Sequence, residues 1–195
     1  MTLTGVLVDG RGANNRTMIV WENPGQYRVE SGSRVATFDG STYKTNGSSL
    51  SESEQDQIET LVGDSVEFFI FRAGNGVRAR LLGRRFRADD GKAANYQGPL
   101  WDIILMMDSG SVRPDQQARA KMYYFDSITG LLSRVAYKKS GGVSVQTEVT
   151  QWARVDEQQV PGAITRKEAN ATVFSFKINT ASFAPRGQAS TFATP

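Results

Sequence analysis

The sequence of 195 residues contains no cysteine and no histidine. Without cysteine there is no disulfide and no thiol nucleophile. Without either residue type, the usual protein ligands of zinc are missing, as is the imidazole group that most often transfers protons near neutral pH. These absences exclude several large classes of enzyme and metalloprotein. They do not fix the compartment, since a chain without cysteine suits an oxidising or a reducing one.

Long apolar runs and blocks of like charge are also missing. No apolar run reaches the roughly 20 residues that a transmembrane helix needs. The net charge is +3, and its basic residues are spread along the chain, which argues against a nucleic-acid-binding arm. The first ten residues, MTLTGVLVDG, lack the basic and apolar regions of a signal peptide and already read as a strand.

What the sequence has in quantity is short strands separated by turns. The clearest example is residues 121–152, where the turn signals 126–130 and 140–142 separate three runs rich in β-branched and aromatic residues. After the second turn, Val143, Val145, Thr147 and Val149 alternate with polar residues. A period of two indicates a strand with one buried face. The stretch therefore predicts a three-stranded antiparallel meander that is apolar on one side.

Further strands follow from the same pattern of alternation and turns. We predict them at residues 2–8, 17–21, 26–30, 34–38, 41–45, 77–82, 84–88, 100–107, 162–167 and 171–179. Residues 154–159 read as a turn ended by Val160-Pro161. Because short turns join most of these strands, the sheet should be antiparallel.

A single amphipathic helix is predicted at residues 51–71, with a break near Gly63. Ser51 followed by Glu54 forms a capping-box pattern, and Ile58, Leu61, Val62 and Phe69 recur at helical spacing. The predicted fold class is mainly β (α+β). It is a curved antiparallel sheet of about ten or eleven strands wrapped around a helix, in one domain of residues 1–183 with a poorly ordered tail at 184–195.

Three stretches carry a resemblance to a known family. They are IVWENPGQYR at 19–28, FDGSTY at 38–43, and YYFD with TGLLSR at 123–134, followed by Trp152, Val155-Asp156, Val160-Pro161 and a closing strand at 174–183. In order and spacing, the chain resembles the LolA-like lipoprotein carriers and the related outer-membrane lipoprotein-sorting proteins of Gram-negative bacteria. The likeness extends over nearly the whole chain.

The resemblance implies an incomplete antiparallel β-barrel closed by helices, with an apolar cavity for acyl chains. It also implies a periplasmic protein whose signal peptide has been removed, with no catalytic residue, cofactor or metal. Its partners would be lipid or lipoprotein acyl chains and a lipoprotein-transport protein of the inner or outer membrane. Two features depart from the family: no helix precedes the first strand, and Asn23 stands where well-known carriers have Arg before the turn proline. Lipoprotein delivery and a looser lipid-binding or envelope role therefore both stay open.

Apolar residues on the inner face of the sheet and helix are the candidate ligand-binding residues. They are Ile19, Trp21, Tyr27, Val29, Leu61, Phe69, Trp101, Ile103, Leu105, Phe174 and Phe176. The alternative for this set is a plain packed core, which is the commoner use of such stripes. If it lines a cavity, the helix is expected to act as a moving lid, because it alone is not part of the sheet. The alternative function is a non-catalytic envelope interaction or regulatory domain of the same fold with no stably bound lipid.

Charged residues give two weaker hypotheses. A basic cluster is expected to be a solvated face, with anionic lipid headgroups as the alternative; it comprises Arg72, Arg78, Arg80, Arg84, Arg85 and Arg87. Asp102 interrupts the apolar run LWDIILMM at 100–107. It is expected to face water or to pair with an arginine such as Arg80, because an unpaired buried carboxylate is costly.

Overall fold

The structure, a computed structural model, describes residues 1–10, 12–22, 25–86, 98–107, 120–183 and 192. These residues form one antiparallel sheet of twelve strands and one helical segment. The strands are β1 (Thr2–Asp9), β2 (Asn14–Glu22), β3 (Gln26–Ser31), β4 (Arg34–Phe38), β5 (Tyr43–Thr45), β6 (Ala79–Phe86), β7 (Trp101–Met106), β8 (Lys121–Asp126), β9 (Leu132–Lys138), β10 (Ser144–Val155), β11 (Gln158–Glu168) and β12 (Ala171–Ser182). A 3₁₀ turn, Ser140–Gly142, joins β9 to β10.

The order of the strands places the first and the last described strand next to each other at the middle of the sheet. It runs β5-β4-β3-β2-β1-β12-β11-β10-β9-β8-β7-β6, so β1 pairs with β12 while β5 and β6 form the two edges. The sheet curves around the helical segment and is not closed into a barrel. The predicted fold class is therefore confirmed, with twelve strands in place of ten or eleven.

The helical segment, residues 52–74, joins the two edge strands. It consists of α1 (Glu52–Ile58), a π-helical turn (Glu59–Gly63) and α2 (Val66–Gly74). The predicted capping box starts α1, since Ser51 Oγ accepts from the backbone N–H of Glu54 and the Glu54 side chain accepts from the backbone of Ser51. The predicted break is also present, because Ser65 caps a new helix by accepting from the backbone N–H of Phe68.

The turn predicted within residues 154–159 is present but shorter than predicted. β10 ends at Val155 and β11 begins at Gln158, and Asp156 and Glu157 between them have φ values of 46° and 67°. Pro161 lies inside β11 opposite Trp152, where a register shift accommodates it. Residues 77–82 and 84–88 do not form two strands, because β6 continues through Gly83, where its register with β7 shifts.

The core lies between the concave face of the sheet and the helical segment. One buried cluster joins β1–β4, β11 and β12 to α1, the π-helical turn and Phe68 of α2; it also includes Leu3, Leu7, Tyr27, Leu61 and Phe176. A second cluster lies on β7–β10 against Val66 and Phe69. The predicted tail at 184–195 falls outside the described residues except for Phe192, which is buried.

Candidate functional site

Two cavities lie between the helical segment and the sheet. The inner cavity has a volume of about 180 Å³, and its apolar lining includes Leu3, Leu61, Phe125, Leu132, Val149, Trp152 and Ile164. The outer cavity has a volume of about 560 Å³ and is lined by Phe68, Ile70 and Phe71 of α2 and by Phe183. Met1, Trp21 and Glu67 line both cavities, so the two adjoin at these residues. Together they make a mostly apolar space under α2.

The lining residues come from elements that local sequence explains. Trp21 lies on the inward face of β2, opposite Tyr27 of β3. Gly25 lets β3 approach α2, because a Cβ at this residue would lie 2.3 Å from Cγ of Phe71. Ile70 is 62% exposed although it is apolar. An exposed apolar side chain at the rim of an apolar cavity is typical of a ligand entrance.

The predicted site residues fall into four groups. Trp21 lines both cavities, and Leu61 lines the inner one. Phe69 packs on the rings of Tyr123 and Phe125, with centroid distances of 4.7 and 5.8 Å. Five others lie in the close-packed core: Ile19, Tyr27, Val29, Phe174 and Phe176. These five residues therefore agree with the alternative interpretation of the set, a plain packed core.

The fourth group, from β7, lies on the face of the sheet opposite to the predicted one. Trp101, Ile103 and Leu105 do not face inward as expected, but pair with Asp126, Tyr124 and Met122 of β8. Trp101 makes an edge contact with Tyr124 at 6.0 Å, whereas the neighbouring Tyr123 contacts Phe69 of α2. Because alternate residues of a strand face opposite sides, these three side chains lie on the face away from α2.

Sequence reasoning missed a buried charged cluster under the π-helical turn. Lys121 Nζ lies 2.5 Å from a carboxylate oxygen of Glu59 and 2.5 Å from one of Asp64. It also donates to the carbonyl oxygen of Gly63 at 3.2 Å. Thr147 Oγ1 donates to the second carboxylate oxygen of Asp64. We call Lys121, Glu59, Asp64 and Thr147 the lysine cluster.

The environment of the lysine cluster moves its pKa values. Burial raises the pKa of Asp64, and nearby Glu59 adds to this, while Lys121 acts in the opposite direction. Burial alone would lower the pKa of Lys121, but the two carboxylates outweigh it, and the net shift is upward. Lys121 is therefore a fixed positive charge that compensates the buried carboxylates.

A second charged group holds α1. Arg166 of β11 contacts carboxylate oxygens of Asp56 at 2.9 Å and Glu168 at 2.7 Å. Its Nη1 donates to Thr60 Oγ1 and to Tyr137 Oη, both at 3.0 Å. The expectation that the helix is not tied to the sheet is therefore wrong for α1 and the π-helical turn. Polar contacts with β8, β10 and β11 hold this part in place.

Glu67 occupies a different environment at the start of α2. Its side chain is accessible to solvent and lines both cavities. Burial raises the pKa of its carboxyl group, while its own backbone N–H and the α-ammonium group of Met1 act in the opposite direction, and the net shift is upward. Such a group has a stronger electrostatic effect on a bound molecule than one in open water.

The expected basic face is only partly described. Arg78, Arg80 and Arg84 are exposed, and the guanidinium of Arg72 lies 5.9 Å from the ring centroid of Phe68. The side chain of Arg85, and all of Arg87, lie outside the described part of the chain. Arg80 pairs with Leu105 in the sheet, on the face opposite to Asp102, so the expected Arg80–Asp102 pair is absent. Asp102 instead accepts a hydrogen bond from Ser127 Oγ at 2.9 Å.

The described residues offer neither a metal site nor a membrane-spanning helix. No group of three or more acidic side chains among them could hold a metal ion. None of the described helices is both long and apolar enough to span a bilayer.

No protein-family model matches the sequence, and no curated protein matches it. Solved structures do match the fold. An outer membrane lipoprotein-sorting protein domain from Vibrio parahaemolyticus is similar with a TM-score of 0.63 and 7% identity, over 98% of this chain and 88% of its own. A DUF1329 family protein from Desulfovibrio piger is similar with a TM-score of 0.58 and 9% identity, over the same shares of the two chains. At such low identity the likeness shows architecture alone: the chain has the LolA-like fold, as its sequence motifs predict.

Proposed function

We propose that the protein is a non-catalytic periplasmic carrier that binds the acyl chain of a lipid or lipoprotein between α2 and the sheet. The observation that carries this proposal is the pair of adjoining apolar cavities at Trp21. The larger one has a volume of about 560 Å³ and reaches the exposed side chain of Ile70. The similarity to a lipoprotein-sorting protein domain supports the choice of ligand class.

The energetics of such a site favour a hydrocarbon guest. Each methylene removed from water contributes about 0.8 kcal/mol. Several methylenes in the two cavities therefore offset the cost of ordering the chain. Phe68, Phe71 and Trp21 provide a lining that does not need polar groups of the ligand in order to bind its chain.

Entry of the ligand would involve α2 more than α1. Aromatic side chains such as Phe69 pack α2 against β8, and such contacts can re-form around a guest. The lysine cluster and Arg166 hold the preceding turn and α1. The moving lid of our prediction is thus reduced to α2, residues 66–74.

Native mass spectrometry of the protein purified from a Gram-negative host tests the proposal. We expect masses that correspond to a bound lipid, released on denaturation. Purified protein should also bind methyl hexadecanoate, a neutral chain. Repeated recovery of empty protein that does not bind this chain would contradict the proposal and would favour an interaction domain without lipid.

A matched pair of variants locates the site. Ile70→Asp places a charge at the rim of the outer cavity, and we expect it to weaken binding of methyl hexadecanoate about tenfold, equivalent to about 1.4 kcal/mol. Ile128→Asp introduces the same change in the turn between β8 and β9, where Ile128 is 87% exposed. We expect no change in affinity for this control, since Ile128 lines neither cavity.

A further inference from the structure

The two edges of the sheet differ in how much backbone they leave open to pairing. β5 has three residues, Tyr43–Thr45, and the chain continues from it into a loop whose carbonyl oxygens at Asn46 and Ser48 accept from the Arg34 guanidinium. β6 has eight residues, Ala79–Phe86, and no described strand lies on its outer side. An edge strand of this length presents a row of N–H and C=O groups with which another strand can pair.

The register with β7 identifies which backbone groups of β6 point outward. The N–H of Met107 donates to the carbonyl oxygen of Arg78 at 2.8 Å, so Arg78 occupies a hydrogen-bonded position of the antiparallel pair. Hydrogen-bonded and non-hydrogen-bonded positions alternate, so the backbone groups of Arg80 also point toward β7. Those of Ala79 and Leu81, which occupy the alternate positions, point to the open edge.

The side chains of β6 are exposed on both faces of the sheet. Arg80 lies opposite Leu105 on the face away from α2, and Arg78 shares this face by alternation. Leu81 lies on the other face and is 46% exposed. Arg78, Arg80 and the nearby Arg84 are exposed, and none of them forms an ion pair with another described residue. This edge therefore combines open backbone groups, unpaired positive charge and an exposed apolar side chain.

We propose that β6 is a docking site for an extended acidic segment of a partner protein, which joins the sheet as an additional strand. The segment would carry acidic residues at every second position, toward Arg78 and Arg80, and apolar residues between them, toward Leu81. The inference goes beyond the carrier function and does not depend on it, because no described residue of β6 lines either cavity.

The chemistry of this edge distinguishes an acidic strand from other occupants. Backbone hydrogen bonds supply the affinity of strand addition, and alternate side chains supply its specificity. Opposite charges on neighbouring strands attract, whereas like charges directly opposite each other are destabilising. A second copy of β6 would place arginines near arginines. An anionic membrane surface would attract the arginines but offers no strand to the backbone groups of Ala79 and Leu81.

The test measures binding of a fluorescein-labelled octapeptide that alternates glutamate and valine, and of a matched peptide with lysine in place of glutamate. Fluorescence anisotropy is recorded for the wild type and three variants. Ala79→Pro removes an outward N–H but no hydrogen bond to β7, a substitution that edge strands tolerate. Arg80→Ser removes one charge from the edge. Arg154→Ser is its control, because Arg154 is exposed on β10. Thermal unfolding of each variant confirms that it is folded.

We expect the wild type to bind the glutamate peptide at least tenfold more tightly than the lysine peptide. The affinity should fall about tenfold in Ala79→Pro, as the loss of one backbone hydrogen bond would give. It should fall about threefold in Arg80→Ser, as for one exposed ion pair, and stay unchanged in Arg154→Ser. Hydrogen exchange followed by NMR should show that the peptide slows the amides of Ala79 and Leu81. The amide of Arg80, already bonded to β7, should not change.

Equal binding of the two peptides, no binding of the glutamate peptide, or full affinity in Ala79→Pro overturns the inference. Binding to phosphatidylglycerol vesicles in place of the peptide, weakened by Arg80→Ser, also overturns it and assigns the arginines to a membrane. A dimer of the free protein in sedimentation, dissociated by Ala79→Pro, overturns it in favour of a second copy. Each of these results leaves acyl-chain binding, measured with methyl hexadecanoate, as a separate question.

Discussion

The two halves of the helical segment contact the same sheet by different means. α1 and the π-helical turn are held by buried charges, with Lys121 and Arg166 as the two centres. α2 packs through aromatic side chains, such as Phe69 on Tyr123, and borders both cavities. A buried ion pair requires one geometry, because a displaced charge would lack its partner. Apolar contacts are less directional, so a guest can replace some of them.

We call α1 and the π-helical turn, residues 52–63, the anchor, because buried charges fix their position on the sheet. We call α2, residues 66–74, the gate. Sequence patterns predict one amphipathic helix with a break near Gly63, which is expected to move as a single lid. The structure divides it at residues 64–65, and the predictions that follow test that division from the largest effect to the smallest.

Removal of the central cation should have the largest effect. Lys121→Met leaves Glu59 and Asp64 buried without their positive partner, and we expect it to lower the free energy of unfolding by about 3–5 kcal/mol. Urea denaturation measures the change. The control is Lys167→Met, which removes the partly exposed pair with Glu148 and should cost at most about 1 kcal/mol. Equal losses in the two variants would show that the lysine cluster is not an anchor.

A smaller loss of stability is expected from a substitution at Gly25, where the start of β3 contacts α2. Gly25 has a φ of 94°, and a Cβ there would overlap the ring of Phe71. Gly25→Ala should destabilise the protein by about 1–3 kcal/mol, as overpacking usually does, with backbone strain in addition. Gly32→Ala is the control, since Gly32 also has a positive φ but a Cβ at this residue would have no neighbour within 4 Å.

The clash and the strain can then be separated. If Phe71 is the cause, Phe71→Ala should relieve part of the loss in the Gly25→Ala background. Thermal unfolding of the double variant measures the relief. If Gly25→Ala loses no more stability than Gly32→Ala, then α2 moves away from the added methyl group without a measurable cost, and the predicted clash with Phe71 is absent.

The smallest effect is a difference in pH response between the two halves. At Glu54 in α1, burial raises the pKa, but hydrogen bonds from Ser51 and the charge of Arg34 outweigh it, so the net shift is downward. At Glu67 in α2, burial raises the pKa. Glu54 thus contributes stability above its unfolded pKa of about 4.3, and this is lost as pH falls through its folded pKa. The contribution of Glu67 is present below about pH 4.3 and is lost as pH rises through its folded pKa.

Unfolding free energies from pH 3 to pH 7, measured by urea denaturation, test this opposition. Glu54→Gln should lose less stability than the wild type as the pH falls. Glu67→Gln should lose less stability than the wild type as the pH rises. Both differences in the free energy of unfolding should be smaller than the loss caused by Gly25→Ala. Parallel curves for the wild type and Glu67→Gln would mean that this carboxyl group is not desolvated.

Local signals are sufficient to predict most of the fold. The predicted ends of β4, 34–38, match the observed ones because a turn residue bounds the strand and its alternation is clear. The Ser51 capping box locates the start of α1 for the same reason. Such features depend on neighbours within a few positions, which a sequence displays directly.

The site required information that the sequence does not display. The run LWDIILMM is apolar on both faces, so its pattern could not say that Trp101 faces away from α2. An alternating pattern also cannot tell Trp21, which borders a cavity, from Ile19, which packs in the core. Lys121 lies 57 positions from Asp64 in the chain. One signal was available: Lys121 alternates with Tyr123 and Phe125, which places a charge on the apolar face of β8.

The most direct test of the account is a distance measurement between the two halves of the helical segment and the sheet. Because the chain has no cysteine, spin labels can be attached at single introduced cysteines without other changes. One pair would join Ala73→Cys in α2 to Ile128→Cys in the β8–β9 turn, and the second would join Glu52→Cys in α1 to Ile128→Cys. We expect addition of methyl hexadecanoate to shift the distance from residue 73 and to leave the distance from residue 52 unchanged. Equal shifts in both pairs, or bound ligand with no shift in either, would contradict the division into anchor and gate.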